Sequence, residues 1–88
     1  AINGIKELPL EFDGRGEVSG WHFKQLMKSN TAYLYEKSFE DLKYYEVFRR
    51  RINTRFGCVA YPSSKSFGIW AWDYRDNNKA LAKFQGLF

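Results

Sequence analysis

The chain has 88 residues, of which 44% are hydrophobic and 27% charged. That length suits one domain with a modest core, and that balance excludes a collagen-like repeat and argues against disorder. The net charge of +4 is split: residues 1–46 carry six Lys/Arg against eight Asp/Glu, a net of −2, while residues 47–88 carry eight against two, a net of +6.

Taken in chain order, the hydrophobic period is mostly two, the period of strands. Leu8, Leu10 and Phe12 alternate with Pro9 and Glu11, and Asp13-Gly14 with Gly16 then bends the chain. From Glu17 to Met27, Trp21, Phe23 and Met27 alternate with His22, Lys24, Leu26 and Lys28. Lys28-Ser29-Asn30-Thr31 has turn composition. Ala32 to Lys37 is the return strand, with Tyr33 and Tyr35 on one face and Ala32 and Leu34 on the other. Ser38 to Leu42 is the next connection, and Lys43 to Ile52 a further strand rich in Tyr, Val and Phe.

Phe56 to Tyr61 forms a short strand ended by Pro62. Ser66 to Tyr74 is the last strand, with Phe67, Ile69 and Ala71 on one face and Trp70, Trp72 and Tyr74 on the other. The period then changes. Asp76-Asn77-Asn78 offers capping side chains, Lys79 to Gln85 are helix formers, and Gly86 stands at the C-terminal cap position. Leu81 and Phe84 face the sheet, Lys79 and Lys83 face water. The expected architecture is α+β: an antiparallel β-meander of four to five strands, with one C-terminal helix packed on one face. A small curved β-barrel plugged by that helix is the alternative. No linker or repeat divides residues 1–88, so they are treated as a single domain.

No catalytic constellation stands out. His22 is the only histidine and sits between Trp21 and Phe23, and Cys58 is the only cysteine. Together they cannot make a disulfide or a tetrahedral zinc site, and neither metal nor cofactor is expected. The acids Glu7, Glu11, Asp13 and Glu17 lack the spacing of a calcium loop. Asp13-Gly14-Arg15-Gly16 is too short for a phosphate-loop fingerprint. An enzyme is therefore not expected. No apolar run reaches the length of a membrane span, and Ala1-Ile2-Asn3-Gly4 lacks the basic start and apolar stretch of a signal peptide, so a reduced cytoplasmic setting is expected.

The unusual feature is 19% aromatic residues beside a basic C-terminal half. Arg49-Arg50-Arg51 and Arg55, helped by Lys65 and Arg75, suit phosphates through the planar guanidinium fork. Trp70, Trp72, Tyr33 and Tyr35 are the candidate stacking surface, provided that the helix covers the aliphatic face and leaves these rings exposed. The competing reading makes the same rings core residues and the arginines a strand-end guard against edge pairing. The leading expectation is a non-enzymatic nucleic-acid-binding accessory domain with DNA or RNA as partner. The alternative is a module whose Trp, Tyr and Arg anchor an acidic or aromatic-accepting protein surface.

Three stretches carry a likeness: Phe12-Asp13-Gly14-Arg15-Gly16-Glu17-Val18, Tyr44-Tyr45-Glu46-Val47-Phe48, and the run from Tyr61-Pro62-Ser63-Ser64 through Phe67-Gly68-Ile69-Trp70-Ala71-Trp72. Together they resemble small orphan proteins carried by gut bacteria, their phages and mobile elements. The resemblance covers most of the chain and implies a setting, in which the protein-binding alternative would be a factor that engages a host protein. It assigns no activity and no residue roles. The order of sheet then helix is also similar to that of the small DNA-binding domains of phage integrases, whose motifs are not present here.

Overall fold

Alternating side chains in the central half of the chain build a five-stranded antiparallel sheet. The computed structural model describes residues 6–87; Ala1–Gly4, on which the signal-peptide expectation rests, lie outside the described residues. The strands are β1 (Glu11–Asp13), β2 (His22–Lys28), β3 (Ala32–Phe39), β4 (Leu42–Arg49) and β7 (Ala71–Tyr74), in the order β1-β2-β3-β4-β7. A separate two-stranded ribbon, β5 (Ile52–Asn53) with β6 (Cys58–Val59), stands in the connection between β4 and β7. Helix α1 (Asn77–Gln85) closes the described chain and packs on β3, β4 and β7. The fold is thus α+β, and the sheet is open: β1 and β7 do not pair, so the barrel alternative is not realised.

The turns are tighter than the sequence suggests. Between β2 and β3 the Ser29 hydroxyl accepts from the backbone N–H of Thr31 (3.1 Å) and of Ala32 (3.0 Å), which closes the Ser-Asn-Thr turn. The connection expected over Ser38–Leu42 shrinks to Glu40-Asp41, because Ser38 and Phe39 stay in register with Lys43 and Leu42. Glu40 takes the left-handed conformation (φ 53°) that such a short hairpin needs. Before β2 the chain bends where Asp13-Gly14 indicates. A Cβ on Gly14 would lie 2.0 Å from the Val18 carbonyl oxygen, so only glycine fits.

In β2 the register slips at Leu26: Gln25 pairs with Tyr35 but Met27 pairs with Leu34. This β-bulge turns Met27 to the face opposite Phe23, correcting the regular alternation expected for that strand. A second correction concerns the last strand. Ser66 ends a 3₁₀ turn (Ser64–Ser66), Phe67 alone is extended, and residues 68–70 form a turn with Gly68 at φ 88°, so β7 starts only at Ala71.

Both faces of the sheet are buried, by unlike layers. On one face Ala80, Phe84 and Leu87 close over Ala32, Leu34 and Val47, with Tyr45, Trp72, Tyr74 and Leu81 around them. The helix is capped as its sequence indicates: the Asp76 carboxylate accepts from the Asn78 N–H at 2.8 Å, and Gly86 ends it in a right-handed conformation. On the other face Phe23, Tyr33, Tyr35 and Phe48 form the aromatic core. Tyr35 and Phe48 are parallel at 5.8 Å, and Tyr61 from the β4–β7 connection stands edge-on to Phe12, Phe23 and Phe48 at 5.3–5.8 Å. Leu8 and Phe12 on one side, and Val59, Tyr61 and Phe67 on the other, roof this core.

Candidate nucleic-acid interface

No acidic residue occurs between Glu46 and Asp73. That stretch leaves the sheet at the end of β4, where the Arg49 N–H donates to the Trp70 carbonyl (2.9 Å) and the Arg50 N–H to that of Thr31 (2.7 Å). The three consecutive arginines then part company. Arg49 is exposed. Arg50 turns inward and grips Glu7 with two nitrogens, Nε at 3.0 Å from Oε1 and an Nη on Oε2. Tyr33 donates its hydroxyl to the same carboxylate, and the Lys28 ammonium lies 3.1 Å away. The Arg50 and Tyr33 hydrogen bonds hold the Glu7 pKa down to about 2, and Glu7 raises that of Arg50 in return. Arg50 is therefore a structural clamp on the N-terminal segment and is not available to a phosphate.

Arg51 is exposed and lays its guanidinium over Trp70, 5.2 Å from the indole centroid. Arg55 lies in the turn of the β5–β6 ribbon, where its N–H donates to the Asn53 side chain at 3.0 Å, and its guanidinium sits 5.4 Å from the centroid of Phe56. Phe56 is 70% exposed. Lys6 pairs its backbone with this ribbon through Gly57 and Val59 and adds another exposed cation. Lys65, also exposed, stands in the 3₁₀ turn whose Ser66 carbonyl accepts from the Trp70 N–H.

The other expected site residues lie elsewhere. Tyr33 and Tyr35 have no exposed surface and are core residues, so neither offers a face to a base. Burial and the Glu7 bond push the Tyr33 hydroxyl up to about 12, and burial also raises that of Tyr35, which accepts from Gln25 and donates to the Pro9 carbonyl. Trp72 pairs with Val47 on the helix side and is capped by the Lys83 ammonium, 3.9 Å from its centroid. Trp70 packs against the opposite, aromatic core, so the two tryptophans do not share a face. Arg75 stacks on Tyr44 at 5.0 Å, at the far end of β4 from Arg49. Five residue steps of strand separate Tyr44 from Arg49, roughly 17 Å. The structure thus gathers Arg51, Arg55 and Trp70, adds Phe56 and Lys6, and keeps Lys65 exposed in the turn before Trp70. Arg49 is exposed at the end of β4 but on the helix side, paired with Ala32, and the rest are dispersed. The strand expected over Phe56–Tyr61 narrows to Cys58–Val59, and Phe56 falls instead in Asn53-Thr54-Arg55-Phe56-Gly57, a turn in which Gly57 takes φ 64°.

Two further polar clusters occupy other places. Under the 3₁₀ turn, Glu46 is 1% exposed; the Lys37 ammonium donates to it at 2.7 Å and to Asp73 at 3.1 Å, and the Tyr61 hydroxyl donates to its other oxygen. Burial pushes the Glu46 pKa up, against the pull of Lys37 and Tyr61. Burial also opposes charge on Lys37, but Glu46 and Asp73 outweigh it and raise that pKa. A cavity of about 230 Å³ borders this cluster, with Glu17 and Phe67 among its walls.

At the opposite face of β1, the His22 ring bridges Asp13 through Nδ1 (2.9 Å) and Glu11 through Nε2 (2.7 Å). Asp13 first and Glu11 second raise the His22 pKa above its usual value. A raised histidine contributes stability that is fully present below the unfolded pKa of about 6.5 and is lost as pH rises through the folded value. Amide exchange of Gly14, whose N–H donates to the Trp21 carbonyl, is therefore expected to speed up, beyond its intrinsic base catalysis, as pH rises through that window. His22→Gln should abolish the excess, and an unchanged pH profile in that variant would disprove the pinning role.

Among the described residues no helix is long and apolar enough to cross a membrane. The chain matches no protein-family model, no curated protein and no solved structure.

Proposed function

We propose that this chain is a small non-enzymatic nucleic-acid-binding accessory module that holds phosphates with Arg49, Arg51 and Arg55, flanked by Lys6 and Lys65. The observation that carries the reading is the acid-free connection between β4 and β7. It presents exposed Arg51 and Arg55 beside Trp70 and Phe56, with exposed Arg49 at the end of β4, while the nearby acids are engaged: Glu7 by Arg50, Lys28 and Tyr33, and Glu17 by the Ser64 N–H. Cations without compensating acids attract a polyanion, and neutralised phosphates release counterions. The fold analogy with groove-reading sheets does not enter, because α1 covers β3, β4 and β7 on one face and the roof over the aromatic core covers the other.

Binding to labelled oligonucleotides, followed by fluorescence anisotropy across a salt series, is expected to weaken steeply with salt. Each lost phosphate contact flattens the logarithmic slope by about 0.9 on duplex DNA and about 0.7 on single strands. Arg49→Gln with Arg55→Gln should therefore flatten it by about two contacts while the circular dichroism spectrum stays native. Arg50→Gln should instead lower stability by freeing the N-terminal segment. Absence of salt-sensitive binding at micromolar protein would overturn the proposal. Ile69, 72% exposed, and the partly exposed Ile52 favour a second reading, a mobile-element module that engages a host protein. A partner captured from lysate and lost on Ile69→Asp, with no oligonucleotide binding, would favour it.

A further inference from the structure

Two of the three exposed arginines in the interface are not bare charges. Arg51 and Arg55 each rest a planar guanidinium over a ring, Trp70 and Phe56 respectively. The two pairs occupy the base and the tip of one ribbon. The Ala60 N–H donates to the Arg51 carbonyl at its base, and Asn53 and Gly57 close its tip. Strand rise puts base and tip about 10 Å apart. Phe56 has no packing role that explains it: the turn is closed by backbone bonds from Phe56 and Gly57 to the Asn53 carbonyl, and the ring itself is left in water. An exposed aromatic with a guanidinium on one side keeps a free face, and a nucleobase stacks on an aromatic ring or on a guanidinium plane alike.

Duplex recognition needs a different shape. A ribbon that reads the major groove must run along it, and β5 and β6 are two residues each. In a duplex, moreover, base faces are hidden in the stack. We propose that the ligand is a single-stranded nucleic acid, DNA or RNA, whose unpaired bases stack on the Arg51–Trp70 and Arg55–Phe56 pairs while Arg49 holds the backbone. This rests on the nucleic-acid reading above and adds the strandedness and the stacking residues.

The test compares a short labelled oligo(dT) and oligo(rU) with a blunt duplex at the same salt, using the intact chain. Single strands should bind at least about tenfold more tightly. Arg51→Lys with Arg55→Lys keeps both charges but removes both planes. It should weaken single-strand binding about fivefold or more and leave the salt slope unchanged. Phe56→Ala, at an exposed turn and so without a folding penalty, should weaken it roughly 5- to 150-fold, again at constant slope. Salt-sensitive binding in which the duplex is held as tightly as the single strand, or in which the lysine double variant and Phe56→Ala match the native chain, overturns the single-strand proposal and leaves the phosphate-binding reading standing. No salt-sensitive binding to any of the three probes overturns both.

Discussion

Glu46→Ala is expected to cost about 3–5 kcal/mol of unfolding free energy, a large part of what a small domain has. The carboxylate is 1% exposed and is the acceptor for both the Lys37 ammonium and the Tyr61 hydroxyl. Its removal leaves a lysine side chain only 12% exposed, with Asp73 at 3.1 Å as its remaining acid. It also leaves the hydroxyl of half-buried Tyr61 without its acceptor. Glu46→Gln keeps an acceptor for Tyr61 and should cost less. Burial raises the Glu46 pKa, so this carboxyl's contribution to stability is greatest below its unfolded value of about 4.3 and declines as pH rises through the folded value. The Gln variant should lose that dependence. Lys37→Met combined with Glu46→Leu removes both charges and should recover part of the loss, the Tyr61 hydroxyl still lacking its acceptor. Urea denaturation of the four proteins decides the matter. A loss below about 1 kcal/mol for Glu46→Ala would mean that Lys37 swings into water and the cluster is not a locked network.

Phe84→Ala should cost about 3–5 kcal/mol and take the helix with it. α1 has nine residues, too few to persist in water without packing. Phe84 is fully buried against Ala32, Leu34 and Val47, whereas Leu81 is only partly covered, so Leu81→Ala should cost distinctly less. Helix loss is read from the far-ultraviolet circular dichroism at 222 nm. The aromatic core lies on the other face of the sheet, so its near-ultraviolet signal should outlast the helix signal during a denaturant titration of the variant. Coincident loss of both signals would show that the two layers fold as one cooperative unit.

Local rules made much of this fold legible in the sequence. Alternation placed Tyr33 and Tyr35 opposite Ala32 and Leu34, and those residues do face the aromatic core and the helix respectively. Asp76 caps the helix and Ser29-Asn30-Thr31 makes the turn, since both features depend on side chains within three residues of the bonds they form. What failed was non-local. The stacking surface rested on a sheet covered on one face only. That a connection without regular alternation would fold back and drop Tyr61 among three rings is written in no local pattern. Alternation sets Arg50 on the side opposite Arg49 and Arg51, but its capture by Glu7 links segments far apart in the chain. Trp70 and Trp72 differ in face because the extended run begins at Ala71, a break caused by the preceding 3₁₀ turn and Gly68.

The strand order has a consequence for life at high concentration. β3 and β4, eight residues each, have ladders long enough to template a foreign strand, and both are interior. The rims are β1, with three residues, and β7, with four. A strand arriving at β1 meets Glu11 and Asp13, and one arriving at β7 meets Asp73 and a first carbonyl already turned back onto the Gly68 N–H. Short, charged rims are poor seeds for edge-to-edge polymerisation. An aromatic-rich sheet of this kind is therefore guarded against fibre growth by the placing of its strands.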